Sequence, residues 1–163
     1  MRLTTLSDYA LRVLMYAAAE NDRLITIEET SSVYDISKAH LMKVVNILTR
    51  AGYLKSVRGR SGGFMLAIAP EKINLGDVVR ETEPDFALVE CFATGNRCVL
   101  TKKCKLANVL NEALSSFVGT LDKYTLADIS LPRRDFRRLL LPTDETRGPN
   151  FKRLRPKRGK VRD

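Results

Sequence analysis

Three cysteines, Cys91, Cys98 and Cys104, fall within one 14-residue stretch, and the chain has no others. A thiolate is both a nucleophile and a soft metal ligand, so this grouping points to a metal centre or to redox chemistry. An odd count cannot be closed by disulfides within the chain. With no signal-like start and no apolar run near about 18 residues, a reducing cytoplasm away from membranes is the expected setting. The Cys-x6-Cys-x5-Cys spacing lacks the tight Cys-x2-Cys pairs of structural zinc sites, so zinc is possible but not the metal that this spacing favours. Three thiolates leave a fourth ligand to be found. Arg97, Lys102, Lys103 and Lys105 surround the cysteines, and a helix is expected to begin beside Cys104; both favour thiolates and an anionic group. On spacing alone, three structural thiols or a direct thiol sensor of oxidation stay open.

The elements that must position this segment read as follows. Leu6, Tyr9, Ala10, Val13, Leu14 and Ala17 recur at helical spacing, predicting a first helix from about Leu6 to Ala19, with Thr5 and Asp8 as a capping pair. Thr26 caps a second helix that ends near Val33 and Tyr34, after which Asp35-Ile36-Ser37 makes a short turn. Ser37 then caps a helix with the apolar face Leu41, Val44, Val45 and Leu48, stopped by Gly52. Helix, three-residue turn, helix is the DNA-binding pattern. Off the apolar stripe lie Lys38, Ala39, His40, Met42, Lys43 and Asn46, which together with Ser37 are candidates for the major groove.

Two short alternating segments, Tyr53 to Val57 and Phe64 to Ile68, flank the glycine-rich turn Arg58-Gly59-Arg60-Ser61-Gly62-Gly63. This is a hairpin wing, with Arg58 and Arg60 placed for phosphates or the minor groove. It is not a nucleotide-binding loop, because the strand-loop-helix context and the Gly-Lys-Ser/Thr ending are missing. No acid-base constellation appears elsewhere, so an enzyme is not expected.

The formal charge of +9 is unevenly spread. Residues 1–132 carry 16 basic and 15 acidic groups, while residues 133–163 carry 12 and 4. Ser37 to Gly63 holds six basic residues and no acidic one, the local field expected to meet DNA. The fold expected is mostly α with a small β-hairpin wing, a winged helix-turn-helix domain plus a long C-terminal dimerisation helix. Its parts are the DNA-binding domain at 1–80, a cluster-binding loop at 81–105, the dimerisation helix at 104–130 and a basic, disordered tail at 133–163. The helix carries Leu106, Val109, Leu110, Ala113, Leu114, Phe117, Val118 and Leu121, an apolar face suited to its twin in a homodimer.

Leu6-Ser7-Asp8-Tyr9-Ala10-Leu11-Arg12, Ser56-Val57-Arg58-Gly59-Arg60-Ser61-Gly62-Gly63, Gly76-Asp77-Val78-Val79-Arg80 and the three cysteines together resemble the bacterial winged-helix repressors that bind iron-sulfur clusters, of the IscR, RirA and NsrR type. The likeness covers about residues 1–130. Asp8-Tyr9, Val33-Tyr34, Arg50-Ala51-Gly52-Tyr53, Glu81-Thr82-Glu83-Pro84, and Tyr124-Thr125-Leu126-Ala127-Asp128 closing the long helix favour the nitric-oxide-sensing NsrR kind. The resemblance implies a homodimeric repressor on a pseudo-palindromic double-stranded DNA operator. It also implies a 4Fe-4S cluster, or alternatively 2Fe-2S, whose destruction by nitric oxide relieves repression.

The IscR kind carries a histidine three residues after the third cysteine. Here that position is Ala107, and the only histidine is His40. The NsrR kind completes its site with an aspartate at the start of the first helix of the opposite subunit, and Asp8 stands there. Glu90, Glu83 or an external molecule are the other candidates, and the plain structural roles for Asp8 are a helix cap or a pair with Arg12. A regulator that responds to iron or cluster availability is the alternative function.

Overall fold

The computed structural model describes residues 2–93, 95–100 and 103–140. Helix α1 (Thr5–Ala19) is the spine, with Ala10, Val13, Leu14 and Ala17 wholly buried against α3, α4, α6 and β2. Its N-cap is Thr4, whose hydroxyl accepts from the Ser7 amide. The capping pair expected at Thr5 and Asp8 therefore sits one residue off, and Asp8 is free to pair with Arg12 at 2.8 Å.

Helix α2 (Ile27–Tyr34) is capped by Thr26, and α3 (Lys38–Arg50) by Ser37, both as expected. Between them Asp35 adopts φ 52°, a left-handed conformation that a short polar side chain tolerates better than most. The Ser31 hydroxyl donates to the Ile36 carbonyl at 2.6 Å, which fixes the turn. At the end of α3, Gly52 at φ 82° lets the Tyr53 amide reach the Leu48 carbonyl at 3.0 Å, closing the helix with a left-handed cap.

Strands β1 (Leu54–Val57) and β2 (Gly63–Leu66) pair antiparallel with Leu54 opposite Leu66. Ile25 adds a short third rung by exchanging two backbone hydrogen bonds with Phe64, at 2.9 and 2.8 Å. No element is expected at Ile25 from the sequence. A single-residue rung has too short an alternating pattern to register. Helix α4 (Leu75–Thr82) is capped by Asn74 and stops before Pro84.

Two expectations are corrected. The segment 104–130 is not one helix. Helix α5 (Lys105–Leu121) ends, Thr125 pairs with Asn74, and α6 (Leu126–Ile129) turns back into the body with Leu126 wholly buried. The physical reason is local: Thr125 and Asp128 form a capping box, which is a helix start rather than a helix end. The tail boundary at residue 133 also moves, because α7 (Arg133–Leu139) is ordered against the body. One buried aromatic, Phe136, stacks on Tyr16 at 5.3 Å and meets Tyr34 edge-on at 6.5 Å. Two of the helix's arginines, Arg133 and Arg137, bind a buried carboxylate. These contacts offset the ordering cost that the few apolar residues of the segment did not suggest. The rest of the expected tail, 141–163, lies outside the described residues.

Candidate nucleic-acid interface and cysteine loop

Helix α3 is held from behind by Leu41, Val44, Val45 and Leu48, so its opposite side is necessarily outward. There Lys38, Ala39, His40, Met42, Lys43 and Asn46 are all exposed, Met42 by 56%. Ser37 accepts from the His40 amide and lies 3.0 Å from the His40 Nδ1, so its hydroxyl is committed to the cap. The His40 ring stands 6.1 Å from that of Tyr9 in α1. Lys38 reaches across to Glu28 in an exposed ion pair, one that a phosphate can displace at little cost.

The wing is pinned where it is narrowest. A Cβ at Gly62 would lie 2.3 Å from the Val57 carbonyl oxygen, and one at Gly63 would lie 2.5 Å from that of Ile25. Neither position admits a side chain without backbone movement. Arg58 and Arg60 are exposed beside this turn, and with Lys38, Lys43, Arg50 and Lys55 they leave an exposed set of one sign on α3 and the wing.

The cysteine loop is built differently. Cys91 lies half-buried in a short 3₁₀ turn (Glu90–Phe92), Cys98 is exposed, and Cys104 is half-buried at the N-cap of α5. None is in a disulfide. Among the described residues no group of three or more His, Cys, Asp or Glu side chains is placed to hold a metal ion, so the single chain does not bring the three thiols into one site. Each carboxylate considered as a fourth ligand is engaged elsewhere. Asp8 pairs with Arg12, and Glu90 accepts from the Arg97 amide at 3.1 Å.

Glu83 has the most binding partners. Its Oε1 accepts from the Thr4 amide at 2.8 Å, from the Thr4 hydroxyl at 3.1 Å and from the Ser7 hydroxyl, while Thr82 donates to Ser7 at 2.8 Å. This network ties the first turn of α1 to the residue from which the loop departs. From the sequence Glu83 is one of the alternative fourth ligands, and a pairing 79 residues apart carries no local signal.

Helix α5 has no buried residue, and Leu106 and Val109 are 61% and 60% exposed. Its far end is locked by Arg80, which donates to both carboxylate oxygens of Asp122 at 2.7 Å. That pairing lowers the Asp122 carboxyl from its ordinary value. No helix among the described residues is long and apolar enough to cross a membrane.

Residues 3–131 match the family Rrf2, described as iron-dependent transcriptional regulator. An HTH-type transcriptional regulator NsrR from Bacillus licheniformis is 49% identical over 142 residues, 86% of this chain and 99% of that protein. Its counterpart from Geobacillus kaustophilus is 46% identical, with 86% of this chain and 97% of that protein covered. Among solved structures, T. potens IscR superposes with a TM-score of 0.61 at 25% identity, over 79% of this chain and 85% of that one. The B. subtilis global cysteine regulator CymR shares the fold, with a TM-score of 0.61 at 24% identity over 80% of this chain and 96% of that one. An exposed recognition helix, a pinned wing and these matches lead to one assignment: the chain belongs to the Rrf2 family of transcriptional regulators.

Proposed function

We propose that this protein is a homodimeric repressor that holds an iron-sulfur cluster on Cys91, Cys98 and Cys104, with Asp8 of the partner subunit as fourth ligand, and releases its operator when nitric oxide destroys the cluster. The observation that carries the reading is one of layout. A complete DNA-reading unit is joined, through a loop with three unbridged cysteines, to a helix whose apolar face a single chain leaves uncovered. The donor set fits: three thiols, with Arg97, Lys103 and Lys105 nearby and Cys104 at a helix N-terminus. A bound cluster supplies an iron centre reactive toward nitric oxide, and its loss frees the protein ligands.

The chain's own residues set what that freedom does. Cys104 caps α5 and Glu83 anchors the other end of the loop on α1, so gathering the thiols fixes α5 relative to the DNA-reading unit. Asp8 can leave Arg12 at little cost, since both side chains are nearly half exposed. Next to it Tyr9 faces His40, which links the first turns of α1 to the recognition helix. The two recognition helices of a dimer must lie about one DNA turn apart to read a pseudo-palindrome, and a change in α5 packing changes that spacing.

The test is anaerobic purification with iron and sulfide analysis, followed by nitric oxide titration while operator binding is read in parallel. Cluster and DNA affinity are expected to disappear together. A colourless protein that binds the operator regardless would overturn the reading. The family description as iron-dependent favours one second reading, a sensor of iron or cluster availability. That sensor would release DNA on mild iron chelation, whereas the nitric-oxide repressor would not.

A further inference from the structure

We propose that α7 is a positioning strap for DNA reading: seated across α1 and α2, it holds α2 in place and, through the turn, sets the first residues of the recognition helix without touching DNA itself. The proposal rests on the DNA-binding reading above and adds to it an element outside helix α3 and the wing.

Helix α2 has little core of its own. Of its eight residues only Thr30 is buried, with Ile27, Val33 and Tyr34 partly so. Two side-chain bonds tie it to α1: the Tyr16 hydroxyl donates to Glu29 at 2.6 Å, and the Tyr34 hydroxyl donates to the Arg12 carbonyl at 3.1 Å. Helix α7 braces both tyrosines. Phe136 stacks on Tyr16 at 5.3 Å and meets Tyr34 edge-on at 6.5 Å, while the two tyrosine rings lie edge to face at 6.1 Å. Three rings from three helices thus fix one another's planes. Beside them Glu20, 2% exposed, receives Arg137 at 2.7 Å and Arg133 at 2.9 Å. Arg23 extends the network from Glu20 at 2.6 Å to Glu29 of α2 at 3.0 Å.

The reading end of α3 follows α2. The Ile36 amide donates to the Ser31 carbonyl at 3.3 Å, and the Ser31 hydroxyl donates to the Ile36 carbonyl at 2.6 Å, so the turn is latched to α2 from both sides. Lys38 adds its ion pair with Glu28. Lys38, Ala39 and His40 form the first turn of α3, the part of a recognition helix that meets base edges. A shift of α2 therefore moves the residues that read, while the apolar face of α3 stays on α1. The strap is also releasable. Phe136 is the one buried residue of α7, and seven residues are too few for a helix that is stable alone. Its order depends on the seat, which makes it a local two-state element.

The full chain is compared with Phe136→Ala and Phe136→Leu, both of which keep every charge. Binding to operator DNA and to DNA of unrelated sequence is read over a salt series, and amide hydrogen exchange is read on the free proteins. In Phe136→Ala the amides of α2 are expected to lose protection while those of α1 and the wing keep theirs. If the seated form falls to about one tenth of the population, operator affinity falls about tenfold per half-site, since only that fraction reads bases. Affinity for unrelated DNA, which rests on phosphate charge, and the salt slope stay those of the full chain. Phe136→Leu keeps the apolar mass without the ring stack and shows the same pattern at about two- to threefold; it decides the matter if Phe136→Ala does not fold. Unchanged exchange in α2 of a folded variant overturns the strap. Faster exchange with unchanged operator affinity overturns the positioning role, as does a parallel loss on both DNAs with an altered slope, which would make α7 a phosphate contact. Failure of the unaltered protein to bind any operator would instead overturn the DNA-binding reading, with the exchange of α2 still deciding whether α7 holds it.

Discussion

The body built on α1 and the segment from residue 84 through α5 obey opposite rules. In the body, residues such as Leu14, Leu41, Phe64 and Val78 are wholly or almost wholly buried, and turns are fixed by caps and backbone exchanges. In the second region no residue of α5 is buried, the cysteines are half-buried or exposed, and its best-defined polar ties lie at its edges, at Glu83 and Asp122. The first region is complete within one chain. The second leaves the apolar residues Leu106 and Val109 of α5 exposed, so the difference is between a closed core and an open surface.

If the division is right, the strongest blow to function should leave stability alone. Cys98→Ala is expected to abolish the cluster and lower operator affinity by roughly 10³-fold or more. Dimer mass and the unfolding midpoint should stay within error; retained iron would remove Cys98 from the ligand set. The converse is Phe64→Ala, which deletes the ring at the meeting of wing and core. It should cost about 3–5 kcal/mol by chemical denaturation.

Acid should loosen the body through Glu20. Arg137, then Arg23 and Arg133, hold the Glu20 carboxyl down to about 2. Its folded value is depressed, so the stability it contributes is full above the ordinary carboxylate range and fades as pH falls toward about 2. The loss amounts to about 3 kcal/mol at most. Glu20→Gln should flatten that part of the stability profile, and an unchanged profile would mean the carboxylate is not what holds α7. The smallest effect expected is from Val109→Asp. It should raise the dimer dissociation constant by about 1.5–3 kcal/mol, the burial of one side chain, with monomer circular dichroism unchanged. A fall in helicity would show that α5 belongs to the body after all.

The sequence announced the first region well, because its signals are local. Thr26, Ser37 and Gly52 each mark a helix boundary by side-chain chemistry, and the structure puts a boundary at each. What escaped notice was non-local or too short. The Ile25 rung is a single residue, and the Glu83 network and the α7 seat join residues far apart in the chain. The break after Leu121 is the exception, since Thr125 and Asp128 carried a readable helix start that the continuing apolar pattern masked. For the second region the cysteines could be found by type and spacing. Their positions in the chain say nothing of how near the thiols lie to one another, and among the described residues no group of three or more His, Cys, Asp or Glu is placed to hold a metal ion.

The seat of α7 also has a consequence for biosynthesis. Arg137 meets Glu20 across 117 residues, and Arg133 meets Asp22 across 111. A nascent chain that has emerged only as far as α6 already contains the whole DNA-reading unit. Yet its Glu20 has Arg23 alone for a partner, and the rings of Tyr16 and Tyr34 lack Phe136. The last helix among the described residues is therefore the one that closes the first, and the body reaches full cohesion only after translation has passed every part of the cysteine loop.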